Sequence, residues 1–163
     1  MPMRNLQDAL VEEMQDLLHA ERQIKAALPK MAEKASNDEL RTAFNEHIKQ
    51  TDGQIERLEQ AFQEIGAEAT PKKCEGIQGI LEEGEELMND DVDPGVMNAI
   101  LIASAQKVEH YEIASYGTVY TWAQMLEHGK AADLLKQSLD EEKQTDERLT
   151  RLAEKSVNKQ ARS

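Results

Sequence analysis

Glu21 stands where a hydrophobic residue is due. Between Leu10 and Met31 the apolar positions run Leu10, Met14, Leu17, then Ile24, Leu28 and Met31, spaced by four and three with one vacant beat, and Glu21 fills it. An ionised carboxylate on a buried helix face costs several kcal/mol unless something neutralises it. Further along, Glu109 and Glu112 lie three residues apart and therefore on one helical face, together with Ile102, Ala105, Tyr116 and Tyr120. Glu142 takes a seam position between Ser138 and Thr145, in a run that continues through Leu149 and Leu152. Carboxylates entering several hydrophobic seams at matching depth are the pattern of a metal site inside a helical bundle, where di-metal centres draw one Glu from each of two helices and a Glu-x-x-His pair from each of the other two. Iron and manganese accept such oxygen and imidazole donors, and bridging carboxylates hold two ions together.

Nitrogen is the scarce donor. No Glu-x-x-His occurs, and the histidines are His19, His47, His110 and His128. His128 is beside a turn and His110 points away from the Glu109/Glu112 face, so both read as surface; His19 lies off its seam. His47 flanks the second seam one turn from Thr51 and is the reserve imidazole ligand. Gln54, one turn the other side of Thr51, could offer an amide oxygen. The expected metal set is therefore Glu21, Gln54, Glu109, Glu112 and Glu142, with His47 in reserve. In a chain with 32 acidic residues some reach core-like positions by number alone, so a hydrogen-bonded polar network without metal is the competing reading.

These residues must be held by helices. Asn5 or Asp8 can cap a first helix reaching about Lys34, with Pro29 near its last turn. Ser36-Asn37-Asp38 with Glu39 reads as a turn and a cap. A second helix follows with the seam Phe44, Ile48, Thr51, Ile55, Leu58, Phe62 and Ile65, ended by Gly66 and Pro71. The long connection from Ala67 to Gly95 contains Ile77, Ile80, Leu81, Leu87 and Met88 on one face, predicting a short extra helix. A third long helix spans about Val96 to Glu127, and a fourth runs from Lys130 to about Lys155. No strand is predicted. Short, long, short connections make the first and last pairs antiparallel and the second and third long helices parallel, the ferritin-like bundle topology. Lys49-Gln50-Thr51-Asp52, with Arg57-Leu58 beyond it, repeats as Lys143-Gln144-Thr145-Asp146, with Arg151-Leu152 at the same interval, as two related hairpins would. The expected organisation is one bundle domain over 1–155 and a polar tail over 156–163.

Composition supports helix and excludes some functions. Charged residues make up 31% and aromatics 4% of the 163 residues. The net charge of −13 argues against nucleic acid, which needs clustered Lys and Arg. No apolar run approaches membrane-spanning length, and the start shows no signal-like segment. Cys74 is the single cysteine, so no intrachain disulfide can form, and a reducing, cytoplasmic location is expected. Without a basic partner beyond Lys72 and Lys73, Cys74 is expected to be structural. Leu18, Leu101, Val119 and Leu126 lie off the central seams, and a homodimer face would cover them.

Leu18-His19-Ala20-Glu21, Gln54 to Glu59, Lys73-Cys74-Glu75-Gly76, Val108 to Thr118 and Glu141 to Asp146 together resemble the YciF/YciE family of bacterial stress-associated proteins, over roughly Leu6 to Ala153. That resemblance implies a ferritin-like, rubrerythrin-related fold, a bacterial source and a homodimer, without a settled activity. Under the rubrerythrin pattern Glu21 resembles the first-helix ligand and Glu109-x-x-Glu112 the third-helix pair. Thr51 and Gln54 then stand where that pattern has Glu-x-x-His, and Glu142-x-x-Thr145 makes the same departure; a register shift of one turn would bring in Asp146 instead. The functional expectation is a metal-binding stress protein, with iron handling or defence against oxidants as its role. The alternative is a non-catalytic interaction protein with a buried polar network.

Overall fold

Side-chain caps set the helix starts. The structure is a computed structural model describing residues 2–163. The Asn5 side chain accepts a hydrogen bond from the Asp8 N–H and opens helix α1, Leu6–Lys34. Asn37 accepts from the Leu40 N–H and opens α2, Asp38–Glu64. Beyond α2, Gly66 adopts φ 68°, and the Ala67 N–H donates back to the Phe62 carbonyl, a stop for which glycine is best suited. Helix α3, Glu75–Asn89, starts from Cys74, whose Sγ accepts from the Ile77 N–H. Helix α4, Pro94–Met125, is capped by Asp93 with Pro94 in its first turn. Helix α5, Gly129–Leu152, continues through a π turn at Ala153–Val157 into α6, Asn158–Arg162. No strand occurs among the described residues.

The fold is all-α: a ferritin-like bundle of α1, α2, α4 and α5 with a long crossover containing α3. Helix α1 packs on α2 and α4, and α5 packs on the same two. Ion pairs Lys25–Asp52 and Arg22–Glu59 register α1 antiparallel to α2. Gln106 reaches Asp146 and Thr150, setting α4 antiparallel to α5. Gln50–Thr145 and Gln54–Glu141 bonds set α2 antiparallel to α5 as well, so α2 and α4 run parallel and face each other across the bundle. The buried Asn98 side chain accepts from the Ser36 and Asn37 N–H groups and donates to Ser36 Oγ, fixing the α1–α2 turn against α4. Lys72 N–H donates to the Gln15 carbonyl, tying the crossover to α1.

One expectation is corrected. Residues 156–163 do not form a polar tail: the helix continues to Arg162, α6 packs on α4, and Val157 is fully buried. Val157 is one apolar residue in a polar stretch, too little for a periodic pattern, and the surface that buries it belongs to α4. Of the off-seam residues, Leu18, Leu101 and Val119 are fully buried within the single chain and Leu126 is half-buried. Helix α4 touches α1, α3, α5 and α6 and therefore needs apolar residues on more than one face. Their presence gives no argument for a partner chain.

The core is divided in two. One apolar cluster holds Ile24, Leu28, Phe44, Leu101, Leu149 and Val157. The other holds Leu10, Met14, Leu17, Leu58, Phe62, Tyr116 and Leu135. Between them lies a layer of buried polar side chains.

Candidate metal centre

That layer is built from all four long helices. Glu21 on α1, His47, Thr51 and Gln54 on α2, Glu109 and Glu112 on α4, and Ser138 and Glu142 on α5 are each at most 3% exposed. Four of them, His47, Glu109, Glu112 and Glu142, can each present one donor atom with all four atoms within 4.8 Å of one another. His47 Nδ1 lies 3.1 Å from Glu109 Oε1, across the bundle, and Nε2 lies 3.9 Å from Glu142 Oε2. Glu21 adjoins this group: its Oε1 accepts a 2.5 Å hydrogen bond from the Tyr116 hydroxyl, and its charge bears on Glu109 and Glu112.

Electrostatics show how much strain the arrangement carries. Burial, and then the charge of Glu142, push the Glu21 carboxyl up to about 8. Burial followed by Glu142 also raises Glu109 and Glu112 well above the usual carboxyl range. Burial pushes the His47 imidazole down, against the pull of Glu142, so the ring is neutral near pH 7 with a lone pair to donate. Nine buried side-chain atoms among the described residues lack any hydrogen-bond partner: both oxygens of Glu109, Glu112 and Glu142, Glu21 Oε2, Gln54 Oε1 and His47 Nε2. Buried polar atoms are ordinarily paired, and an ion is one of the standard explanations when they are not. The donor set of carboxylates with one imidazole fits divalent iron or manganese.

The residues named from sequence fare unequally. Glu21, Glu109, Glu112 and Glu142 occupy one layer. Gln54 reaches its edge: Nε2 donates to Glu141 Oε2 at 3.2 Å and Oε1 stays unpartnered. His47, held in reserve, lies inside the cluster. Asp146, the register alternative, does not: it accepts from Gln106 and pairs with the exposed His110. The second seam is displaced by one residue from its apolar pattern. The buried line on α2 is Phe44, His47, Thr51, Gln54, Leu58 and Phe62, whereas Ile48 and Ile55 are half-buried flanks. Thr51 turns its hydroxyl back to the His47 carbonyl. Arg57, bonded to Ser138 Oγ and Glu141 Oε1, is a nearby cation that the sequence reading did not assign to the site, and its charge offsets part of the upward push that burial gives Glu21 and Glu141.

His19 is also part of the framework rather than free surface: its Nδ1 accepts from the Cys74 N–H at 3.0 Å. Cys74 is buried, its Sγ is 3.2 Å from the Tyr111 hydroxyl, and burial raises its thiol. An uncharged thiol of this kind is a poor nucleophile.

The profile of the family described as a domain of unknown function, DUF892, matches residues 5–162. Protein YciF of Escherichia coli K12 is 45% identical over 162 residues, 99% of this chain and 98% of that protein. The chain belongs to this family. Among solved structures, the crystal structure of the E. coli stress protein YciF matches with a TM-score of 0.93 at 44% identity, covering 96% of this chain and 99% of that one. YcfI of Rhodopseudomonas palustris, whose description suggests a structural role, matches with a TM-score of 0.88 at 39% identity over 90% of this chain and 94% of its own. A protein from Xanthomonas campestris pv. campestris shares the fold at 21% identity, with a TM-score of 0.74 and 97% coverage of both chains. This chain is therefore a homologue of a bacterial stress protein. Among the described residues no helix is long and apolar enough to cross a membrane.

Proposed function

We propose that this protein is a ferritin-like stress protein that holds one or two transition-metal ions, iron foremost, in the layer between its two apolar clusters. The observation that carries the reading is the set of unpartnered buried donors on Glu21, His47, Gln54, Glu109, Glu112 and Glu142. His47, Glu109, Glu112 and Glu142 would form the tighter position, while Glu21 and the Gln54 amide oxygen would complete a second. Bound there, a pair of iron ions supplies redox chemistry toward oxygen or peroxide. The protein's own contribution is to keep His47 neutral, to exclude water, and to hold a proton on the Tyr116 hydroxyl beside Glu21. A role in iron handling or oxidant defence, a cytoplasmic location and a homodimeric state belong to the same proposal.

The test is metal content after purification without chelators. The wild type is expected to carry iron or to take it up, and the Glu21→Ala, Glu109→Ala double variant to carry none while keeping its helical spectrum. Equal, negligible metal in both would sink the reading. The competing role is that of an interaction protein, and Thr51 favours it by standing on the buried line without reaching the cluster. Sedimentation at micromolar concentration tests the homodimer; a monomer there would contradict it.

A further inference from the structure

A cleft between α2 and α5 ends on the cluster. It has a volume of about 150 Å³ and is lined by Ala43, Phe44, His47, Gln50, Thr145 and Arg148, among others. Three other hollows, along α1–α3–α4, beside the α4–α5 turn and near the N-terminus, are lined by no residue of the polar layer. His47 is thus the wall between this cleft and the carboxylates. Thr145 is the one seam position of α5 that is not buried, and its hydroxyl donates to Gln50 Oε1 across the mouth at 3.2 Å. Arg148 at the rim is paired with Glu46, which offsets its charge.

We propose that this cleft is the port through which a divalent cation reaches the buried layer, with the His47 ring as its gate. The inference rests on the metal reading above. Little polar bonding resists a turn of the His47 ring: Nε2 has no hydrogen-bond partner, and Nδ1 has only its 3.1 Å contact with Glu109 Oε1 to give up. Turned into the cleft, the ring opens the way past Phe44 and Leu149. Turned back, it presents nitrogen to the ion just admitted. Amide and hydroxyl oxygens of Gln50, Gln144 and Thr145 line the approach and can replace part of the ion's water shell as it enters.

The experiment follows cobalt(II) uptake by visible absorbance, recording its rate and the final amount bound. Ala43→Phe fills the cleft from α2 and Thr145→Leu blocks it from α5, so either variant decides the matter if the other fails to fold. Each is expected to slow uptake about tenfold or more, as obstruction of a rate-limiting gate does, with the final amount unchanged. Gln50→Ala, which removes the bond across the mouth, is expected to speed it. Ala27→Phe, in the α1–α3–α4 hollow, is expected to leave the rate alone. Unchanged rates in both blocked variants, or a rate and final amount that fall together, would overturn the port while leaving the metal site standing. A wild type that takes up no cobalt would overturn the metal reading itself, and the port with it.

Discussion

Glu112 has Glu21, Glu109 and Glu142 as its acidic neighbours, all of them acceptors when charged. Replacing it with glutamine removes one negative charge and supplies two N–H donors to oxygens that now lack them. Glu112→Gln is therefore expected to raise the melting temperature of metal-free protein at pH 8 while weakening metal binding, the opposite of what a purely structural hydrogen-bonding role predicts. The pH dependence follows from the same groups. A carboxyl raised from 4.5 to about 8, as Glu21 is, keeps its proton in the folded chain and loses it in the unfolded one. Its contribution to stability is fully present below 4.5 and is lost as pH rises toward 8. His47, lowered from 6.5, acts in the other sense below that value. Between about pH 6.5 and 8 the carboxyls act alone, and metal-free protein should lose about 1.4 kcal/mol per pH unit for each such proton. Chemical denaturation across that window checks it. Metal-loaded protein should show no such decline, since the ion replaces the protons.

At the scale of the element, the crossover helix is held by close fit. A Cβ on Gly76 of α3 would lie 2.7 Å from the Tyr111 ring. The Tyr111 hydroxyl is bonded to Asp16 and Cys74, so the ring cannot retreat without breaking both. Gly76→Ala should cost about 1–3 kcal/mol, read as a lower urea midpoint, and Tyr111→Leu should relieve most of that penalty in the double variant. Helix ends were legible because Asn5, Asn37 and Gly66 have direct local effects on the backbone. Glu21 and Glu142 were legible because each interrupts an apolar stripe. Helix α2 was harder to read. Its interior line contains His47, Thr51 and Gln54, so its most hydrophobic stripe, through Ile48 and Ile55, lies beside the true one. A polar layer erases the periodic signal in the helix that contributes most to it, which is why His47 was placed on the flank. Arg57 and His19 stood in recognisable motifs, but their bonds to Ser138 and to the Cys74 N–H join segments 55 or more residues apart, which no local pattern shows.

Viewed as a whole, the molecule is two apolar clusters joined through a layer that hydrophobic burial does not hold together. The end occupied by Phe44, Leu101 and Leu149 is completed by the C-terminal segment. Val157, fully buried, joins Leu152 and Ala153 in that cluster, and α6 lies along α4 near its start. Removing residues 156–163 would uncover this end of α4 and leave Val157's place empty. The expected loss is on the order of 2 kcal/mol, the scale for deleting a buried aliphatic side chain, with Val157→Ala giving a smaller part of it. Helix α4 also carries Glu109 and Glu112, about one to three turns beyond Leu101 and Ala105 of the same cluster. If the two ends are coupled through that helix, the truncated protein should bind cobalt(II) more weakly as well as melt earlier. Urea denaturation and cobalt titration of the truncated chain measure the two effects separately. A truncated protein as stable as the full chain would show that the terminal helix merely rests on the bundle, while a drop in stability with unchanged cobalt affinity would mean that the centre depends only on its own layer.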